Sequence, residues 1–119
     1  MKGCLIAVVS AAIIGGTALT AAAQDAAKVD AGKAAYTAQK CATCHSIKGV
    51  GAGPKVGSAL DGVGTKLPSA DIKKWLTVPA EMEAKLAKKP MVTMSGYLKT
   101  HKLTDADVEG LLAYMLSLK

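Results

Sequence analysis

Three observations in the sequence predict an all-α fold. Apolar residues recur at three- and four-residue intervals in several segments, the spacing that places them on one face of a helix. Residues that favour helix N-termini precede several of these segments. No segment shows the alternation of apolar and polar residues that is typical of a half-buried strand. At 119 residues, the chain has the length of one domain.

The N-terminal segment has the features of an export signal. Lys2 supplies a positive start, residues 5–19 are apolar and uncharged, and residues 21–23 offer a small-residue cleavage site. We therefore expect a signal peptide over residues 1–23, a single domain over residues 24–119 and a periplasmic location. A retained membrane anchor is the alternative, because the uncharged run is nearly long enough to span a bilayer.

The first helix of the domain is predicted over residues 30–39. Apolar residues recur there at helical spacing, and Asp30 is suited to cap the N-terminus. Gly32 lies inside this helix, where glycine costs stability relative to alanine. Its presence is explained if another helix crosses close to the backbone at this point.

The middle of the chain predicts loops and two short helices. Residues 46–66 are rich in glycine and predict an extended loop, and a loop of this length in a small domain usually has a function or wraps around something. Helices are predicted over residues 69–77, with Ser69 as N-cap, and over residues 80–87. Residues 91–102 lack periodicity and predict a second loop.

The last helix is the clearest in the sequence. Thr104 and Asp107 resemble a capping box, with Asp in place of the usual Glu. Apolar residues then recur at helical spacing at Val108, Leu111, Leu112, Met115 and Leu116.

One short motif carries the chemistry, Cys-Ala-Thr-Cys-His at residues 41–45. C-x-x-C-H is the attachment pattern of c-type haem. Cys41 and Cys44 can each add to one vinyl group of a haem, and His45 then lies under the iron, where its imidazole can bind as an axial ligand. We therefore predict one covalent haem c. The second ring nitrogen of His45 needs an orienting partner, and we expect the carbonyl of Pro54.

The same cysteines have other uses in proteins. A thioredoxin-like dithiol needs a β-α-β context, which the sequence around them lacks. A zinc site needs four Cys or His ligands, and only His45 and His101 stand beside Cys41 and Cys44. A disulfide between these two cysteines would close a very short loop and stabilise little. The third cysteine, Cys4, lies in the predicted signal.

Composition supports a large cofactor at the centre of the domain. The chain has no Phe, one Trp and three Tyr. A mature chain of about 95 residues is small for a core made of protein alone. A haem would supply the missing apolar bulk.

The charged residues of the chain indicate which kinds of macromolecular partner to expect. All fifteen basic residues are Lys, and the net charge is +6. Without Arg for bidentate base contacts and without an aromatic platform for single strands, we expect no nucleic-acid partner. The excess of lysine suits the binding of redox partner proteins whose docking surfaces are acidic. The alternative is that these lysines only form a solvated surface. We expect a monomer.

The second iron ligand decides the function. Methionine raises the reduction potential and favours electron transfer, whereas an open position permits gas binding. Met82 and Met115 lie on apolar helical faces, where a core role is the better explanation. Met91 and Met94 lie in the predicted loop before the last helix, from which a side chain can reach the iron, and His101 is a further candidate.

These features together resemble the small bacterial class I cytochromes c. The resemblance rests on Gly32 and Tyr36 before the haem motif, the Gly53-Pro54 turn, residues 94–97 and the Leu-Leu-Ala-Tyr segment at residues 111–114. It implies a cytochrome c fold in which the first and last helices cross. It also implies that Gly32 and Tyr36 meet Tyr114 at the crossing.

The resemblance also implies which methionine binds the iron. In that family the ligand is commonly followed by Pro and, shortly after, by an aromatic residue. Met94 fits best, with Tyr97 three residues later, so His45 and Met94 are the implied axial ligands. Ser95 stands where Pro is usual, and this departure leaves Met91 as an alternative.

The predicted function is that of a soluble periplasmic electron carrier with one haem, and not of an enzyme. A gas-binding or sensing domain with an open or displaceable distal site is one alternative. A haem subunit of a larger oxidoreductase complex is another. A peroxidase would need polar distal groups, for which only Thr93, Ser95 and Tyr97 lie near the methionine loop.

Overall fold

The computed structural model describes residues 17–53 and 56–119, and these residues are mostly helical. In the described part of the chain the helices are α1 (Thr17–Ala38), α2 (Val63–Lys66), α3 (Ser69–Thr77), α4 (Pro79–Glu83), α5 (Met94–Thr100) and α6 (Asp105–Ser117). A 3-10 turn at Cys41–Thr43 and an antiparallel hairpin of β1 (Ser46–Ile47) and β2 (Val50–Gly51) lie between α1 and α2. The predicted all-α fold is confirmed.

Helices α1 and α6 cross in direct backbone contact. A Cβ atom on Gly110 would lie 3.0 Å from the Gly32 nitrogen, and one on Gly32 would lie 2.6 Å from Cβ of Tyr114. Beside this contact the rings of Tyr36 and Tyr114 meet edge to face, with 5.9 Å between their centroids. The predicted crossing of the first and last helices, with these residues at the contact, is therefore confirmed.

The core extends from this crossing through α6. Leu111 is the most buried large side chain, with 2% of its surface exposed. Met115 of α6 packs in one cluster with Ile72 of α3 and Ile47 of the hairpin. Met82 of α4 is also buried, so the prediction that Met82 and Met115 serve the core is confirmed.

The predicted capping box at the start of α6 is present. The Thr104 hydroxyl accepts from the Asp107 amide at 3.1 Å, and the Asp107 carboxylate accepts from the Thr104 amide at 3.0 Å. The bond from the Thr104 backbone is the main cause that holds the pKa of Asp107 below its usual value. The same carboxylate accepts from the Gln39 side chain at 3.5 Å, which joins the start of α6 to the end of α1.

The first helix is longer than predicted. Asp30 lies well inside α1, where its carboxylate pairs with Lys33 at 3.4 Å, so its prediction as N-cap is wrong. The physical reason is the run of strong helix formers before Asp30, which extends the helix towards the N-terminus. The predicted signal peptide lies mostly in residues 1–16, outside the described residues.

No helix within residues 17–53 and 56–119 has the dimensions of a membrane-spanning helix. Within these ranges, every helix falls short of the combined length and apolarity that a bilayer crossing requires.

The two predicted loops contain regular structure. Residues 46–66 contain the hairpin and α2. The hairpin forms because Lys48 and Gly49 both adopt positive φ, 51° and 75°, as a tight two-residue hairpin turn requires. Residues 91–102 hold α5, which has only seven residues and starts at a side-chain cap from Thr93 rather than at an apolar repeat.

The bounds of α3 and α4 also differ in detail from the prediction. Helix α3 spans the predicted residues, but Ser69 is its first residue and Pro68 occupies the N-cap position. Helix α4 begins one residue earlier than predicted, at Pro79, and ends earlier, at Glu83. Proline suits the first helical position, where its missing N–H has no partner to lose.

The helix crossing can be tested with Gly32→Ala. Alanine has the higher helix propensity by about 1 kcal/mol, yet its Cβ has no space against α6, so we expect a net loss of about 2 kcal/mol in the free energy of unfolding. Chemical denaturation followed by circular dichroism measures this change. The control is Ala34→Gly at an exposed position of α1, which should lose about 1 kcal/mol through propensity alone. An unchanged or increased stability of Gly32→Ala would contradict the crossing.

Candidate haem-binding site

The haem motif lies at a sharp reversal of the chain after α1. Lys40 adopts the left-handed conformation, with φ 52°, and the 3-10 turn follows at once. The Cys41 carbonyl accepts from the amides of Cys44 at 3.1 Å and His45 at 3.0 Å. The turn therefore presents two half-buried thiols and one imidazole from five consecutive residues. Both thiols are free, so the disulfide alternative is not formed.

The His45 ring is oriented by a main-chain carbonyl. Its Nδ1 lies 2.8 Å from the Ser58 oxygen. A carbonyl can only accept, so Nδ1 carries the hydrogen and Nε2 of the neutral ring keeps a lone pair that can bind a metal. The structure brings this ring next to Gly57, where a Cβ atom would lie 3.2 Å from His45 Cε1. A Cβ atom on Gly57 would also lie 2.5 Å from the Cys44 carbonyl oxygen, so only a residue without a side chain lets the loop pass so close.

The prediction that the Pro54 carbonyl orients the His45 ring is wrong. Pro54 itself lies outside the described residues. The preceding carbonyl of Gly53 accepts from the amides of Val56 and Gly57, each at 3.2 Å, so the turn closes on itself. The acceptor for the His45 ring is the Ser58 carbonyl instead.

Tyr36 connects the helix crossing to the haem motif. Its hydroxyl donates to the His45 carbonyl at 3.2 Å. Burial, with a smaller effect of nearby Cys41, raises the pKa of Tyr36 to about 12. The hydroxyl therefore keeps its proton and its role as donor at any physiological pH.

Helix α5 is held against the end of α1. The Tyr97 hydroxyl donates to the Gln39 carbonyl at 2.8 Å, two residues before Cys41. Burial raises the pKa of Tyr97, and the nearby free thiols of Cys41 and Cys44 would add to this effect if ionised. Helix α5, which begins with Met94, therefore lies on the side of the molecule where the two thiols are.

The two candidate methionines have different surroundings. Met91 has its whole side chain in solvent, with 103% of its reference surface exposed. Met94 is half-buried and begins the first turn of α5. His101, the further candidate, stacks its ring on Tyr97 with 4.0 Å between centroids, and its Nδ1 lies 2.9 Å from the Thr100 hydroxyl.

Sequence reasoning missed Glu83, a buried residue on the last turn of α4. Its carboxylate accepts from the Ser95 amide at 2.7 Å and from the Ser95 hydroxyl at 2.6 Å. These bonds attach the residue after Met94 to α4. The sequence contains no local signal for this contact, because the partners are twelve residues apart and lie on different helices.

The donor set fits a covalently bound haem. Two free thiols at C-x-x-C spacing match the two vinyl groups, and His45 offers Nε2 beside them. A surface cleft of ≈ 620 Å³ is lined by residues from α3, α4, α5 and α6 and does not include the motif. An all-α domain with this motif defines a c-type haem protein.

The comparison with protein families agrees with this class. The model of the family described as cytochrome c matches residues 29–119. The chain belongs to the cytochrome c family, whose members bind a covalently attached haem c with its iron and transfer electrons. The comparisons with curated proteins and with solved structures gave no match.

The raised pKa of Tyr36 predicts how stability changes in alkali. An unfolded tyrosine loses its proton near pH 10, whereas folded Tyr36 keeps it until about pH 12, so stability from this group is full below pH 10 and is lost as pH rises towards 12. We expect Tyr36→Phe to show a flatter decline of stability between these values. Urea denaturation of both proteins at a series of pH values measures it, and parallel declines would contradict the assignment.

Proposed function

We propose that the chain is a soluble periplasmic electron carrier in which His45 and Met94 are the axial ligands of one haem. The observation that carries this proposal is the attachment of α5, with Met94 in its first turn, to the end of α1 through Tyr97 and Gln39. When bound, the haem supplies a single iron that cycles between the ferric and ferrous states. Methionine ligation favours electron transfer over gas binding.

The protein's own groups keep both ligands in place. The Ser58 carbonyl holds the His45 ring by its Nδ1 hydrogen and so leaves Nε2 free, where it would bind the iron. Tyr36 holds the main chain of the same residue. The Tyr97–Gln39 hydrogen bond holds the helix that begins with Met94. Because these groups belong to packed elements, we expect both ligands to stay bound in both oxidation states, which keeps reorganisation small.

The polar groups near Met94 support a carrier rather than an enzyme. The Thr93 hydroxyl caps α5 by accepting from the Gly96 amide at 3.1 Å, and the Ser95 hydroxyl donates to Glu83. The Tyr97 hydroxyl donates to Gln39. Each of the three candidate distal groups is therefore engaged in holding α5, which argues against a peroxidase-like role.

The proposed partners are redox proteins with acidic surfaces. Lys40 and Lys48 are exposed on either side of the haem motif, and without residues 1–23 the chain has fourteen Lys against nine acidic residues. Such a field raises the rate of encounter with negatively charged partners. Lys55, which also lies near the motif in sequence, is outside the described residues. We propose a monomer exported by the signal at residues 1–23.

Substitution of the two methionines tests the ligand assignment. Met94→Ala should lose the far-red absorption band of sulfur bound to ferric iron, and its reduced form should bind carbon monoxide promptly. Met91→Ala is the matched control because Met91 is fully exposed, and it should keep the band and stay closed to carbon monoxide. Loss of the band in Met91→Ala alone would show that the wrong methionine was chosen.

Prompt carbon monoxide binding by the unaltered protein at neutral pH would favour the gas-binding alternative. Isolation of the haem chain from its natural membrane or periplasm in a stable complex would favour the alternative of a subunit in a larger oxidoreductase.

Salt dependence tests electrostatic steering. Oxidation of the reduced protein by hexacyanoferrate(III) should slow as ionic strength rises from about 0.01 M to about 1 M, because the Debye length falls from about 30 Å to about 3 Å. Lys48→Glu should slow the reaction by about threefold at low salt. The control Lys28→Glu makes the same charge change at a position ten residues, or about 15 Å, before the end of α1. This variant should slow the oxidation less than Lys48→Glu does. A rate that does not depend on salt contradicts steering.

A further inference from the structure

Glu83 is the buried acidic residue among the described residues, with 7% of its surface exposed. Its two carboxylate oxygens accept from the amide and the hydroxyl of one residue, Ser95, at 2.7 and 2.6 Å. The Ser95 hydroxyl also lies 3.3 Å from the Thr93 hydroxyl, which caps the same helix.

The burial of Glu83 depends on this contact with Ser95. A buried carboxylate is costly unless hydrogen bonds or an opposite charge compensate for the lost water. The ion pairs found in the described part of the chain are Lys33–Asp30 and Lys73–Glu109, and Glu83 belongs to neither. Ser95 supplies the compensation instead, through two short hydrogen bonds to a charged acceptor, which are stronger than bonds between neutral groups.

The contact acts on the first turn of α5, where Met94 lies. The Gly96 amide donates to the Thr93 hydroxyl, and the Tyr97 amide donates to the Thr93 carbonyl at 3.1 Å. The Ser95 amide donates out of the helix to Glu83. The peptide that follows Met94 is thus tied to α4, which itself is anchored by the buried Met82.

We infer that Glu83 is a positioning residue for the axial methionine. Through Ser95 it restricts the first turn of α5 and so opposes exchange of the Met94 sulfur for a small external ligand. The inference rests on the proposed function, because it requires Met94 on the iron.

Imidazole titration of the ferric holoprotein tests this inference, with the far-red sulfur–iron band as the readout. Imidazole competes with Met94 for the iron, so its apparent affinity reports how readily the sulfur leaves. We expect Glu83→Ala to bind imidazole about tenfold tighter or more, because it removes both hydrogen bonds to Ser95. Ser95→Ala, which keeps the amide bond, should bind it about threefold tighter.

Two further variants separate positioning from general stability. Glu83→Gln should bind imidazole less tightly than Glu83→Ala, since its amide can accept from the Ser95 amide and donate to the Ser95 hydroxyl, through neutral bonds that are weaker than those of the carboxylate. The exposed Glu81 lies on the same helix, so Glu81→Ala is the matched control and should leave the affinity unchanged. The Glu83→Ala/Ser95→Ala double variant should match Glu83→Ala, because both residues act through one contact.

Each result of the imidazole titration either supports or overturns the role inferred for Glu83. An imidazole affinity of Glu83→Ala within about twofold of the unaltered protein, with or without a lower unfolding temperature, overturns the inference. If Glu83→Ala yields no folded holoprotein, Ser95→Ala decides, and an unchanged affinity there overturns it. Failure of the ligand assignment is distinguished by Met94→Ala, which would then keep the far-red band whatever the Glu83 variants do.

Discussion

The backbone contact between Gly32 and Gly110 is the constraint from which the geometry of the haem motif follows. Without side chains between them, α1 and α6 approach closely enough for Tyr36 and Tyr114 to meet edge to face. This approach places the Tyr36 hydroxyl within hydrogen-bond distance of the His45 carbonyl. It also places Gln39, at the end of α1, beside the capping carboxylate of α6. The position of the motif is thus set by two helices that contain none of its residues.

Three main-chain carbonyls then orient the groups around the motif. The oxygens of His45, Ser58 and Gln39 accept from Tyr36, the His45 ring and Tyr97 respectively. A carbonyl is an acceptor whatever side chain its residue carries, so its role depends on the path of the chain and not on residue type. The free Nε2 of His45 and the attachment of α5 to α1 are both consequences of that path. The Glu83–Ser95 contact is different, since it depends on two particular side chains.

Much of the fold followed from local patterns, and the errors have a common cause. The capping box at Thr104 and the in-helix Gly32 were predicted correctly because each signal lies within one turn or one helix. Helix α5 was missed because a Thr93 cap and contacts with other elements form it, without an apolar repeat. The partner of the His45 ring was placed four residues too early, since the turn at Gly53 closes on itself before the chain reaches the imidazole.

The sequence by itself determined the chemistry of this protein. Two thiols and an imidazole at fixed spacing are enough to specify covalent haem attachment, because the reacting groups lie within one turn of chain. Only the tertiary structure decided which distant groups meet them. Ser58 orients His45, Gln39 receives Tyr97, and Glu83 holds the residue after Met94. These contacts join separate elements, and their formation depends on how α1, α4, α5 and α6 pack, which no local spacing encodes.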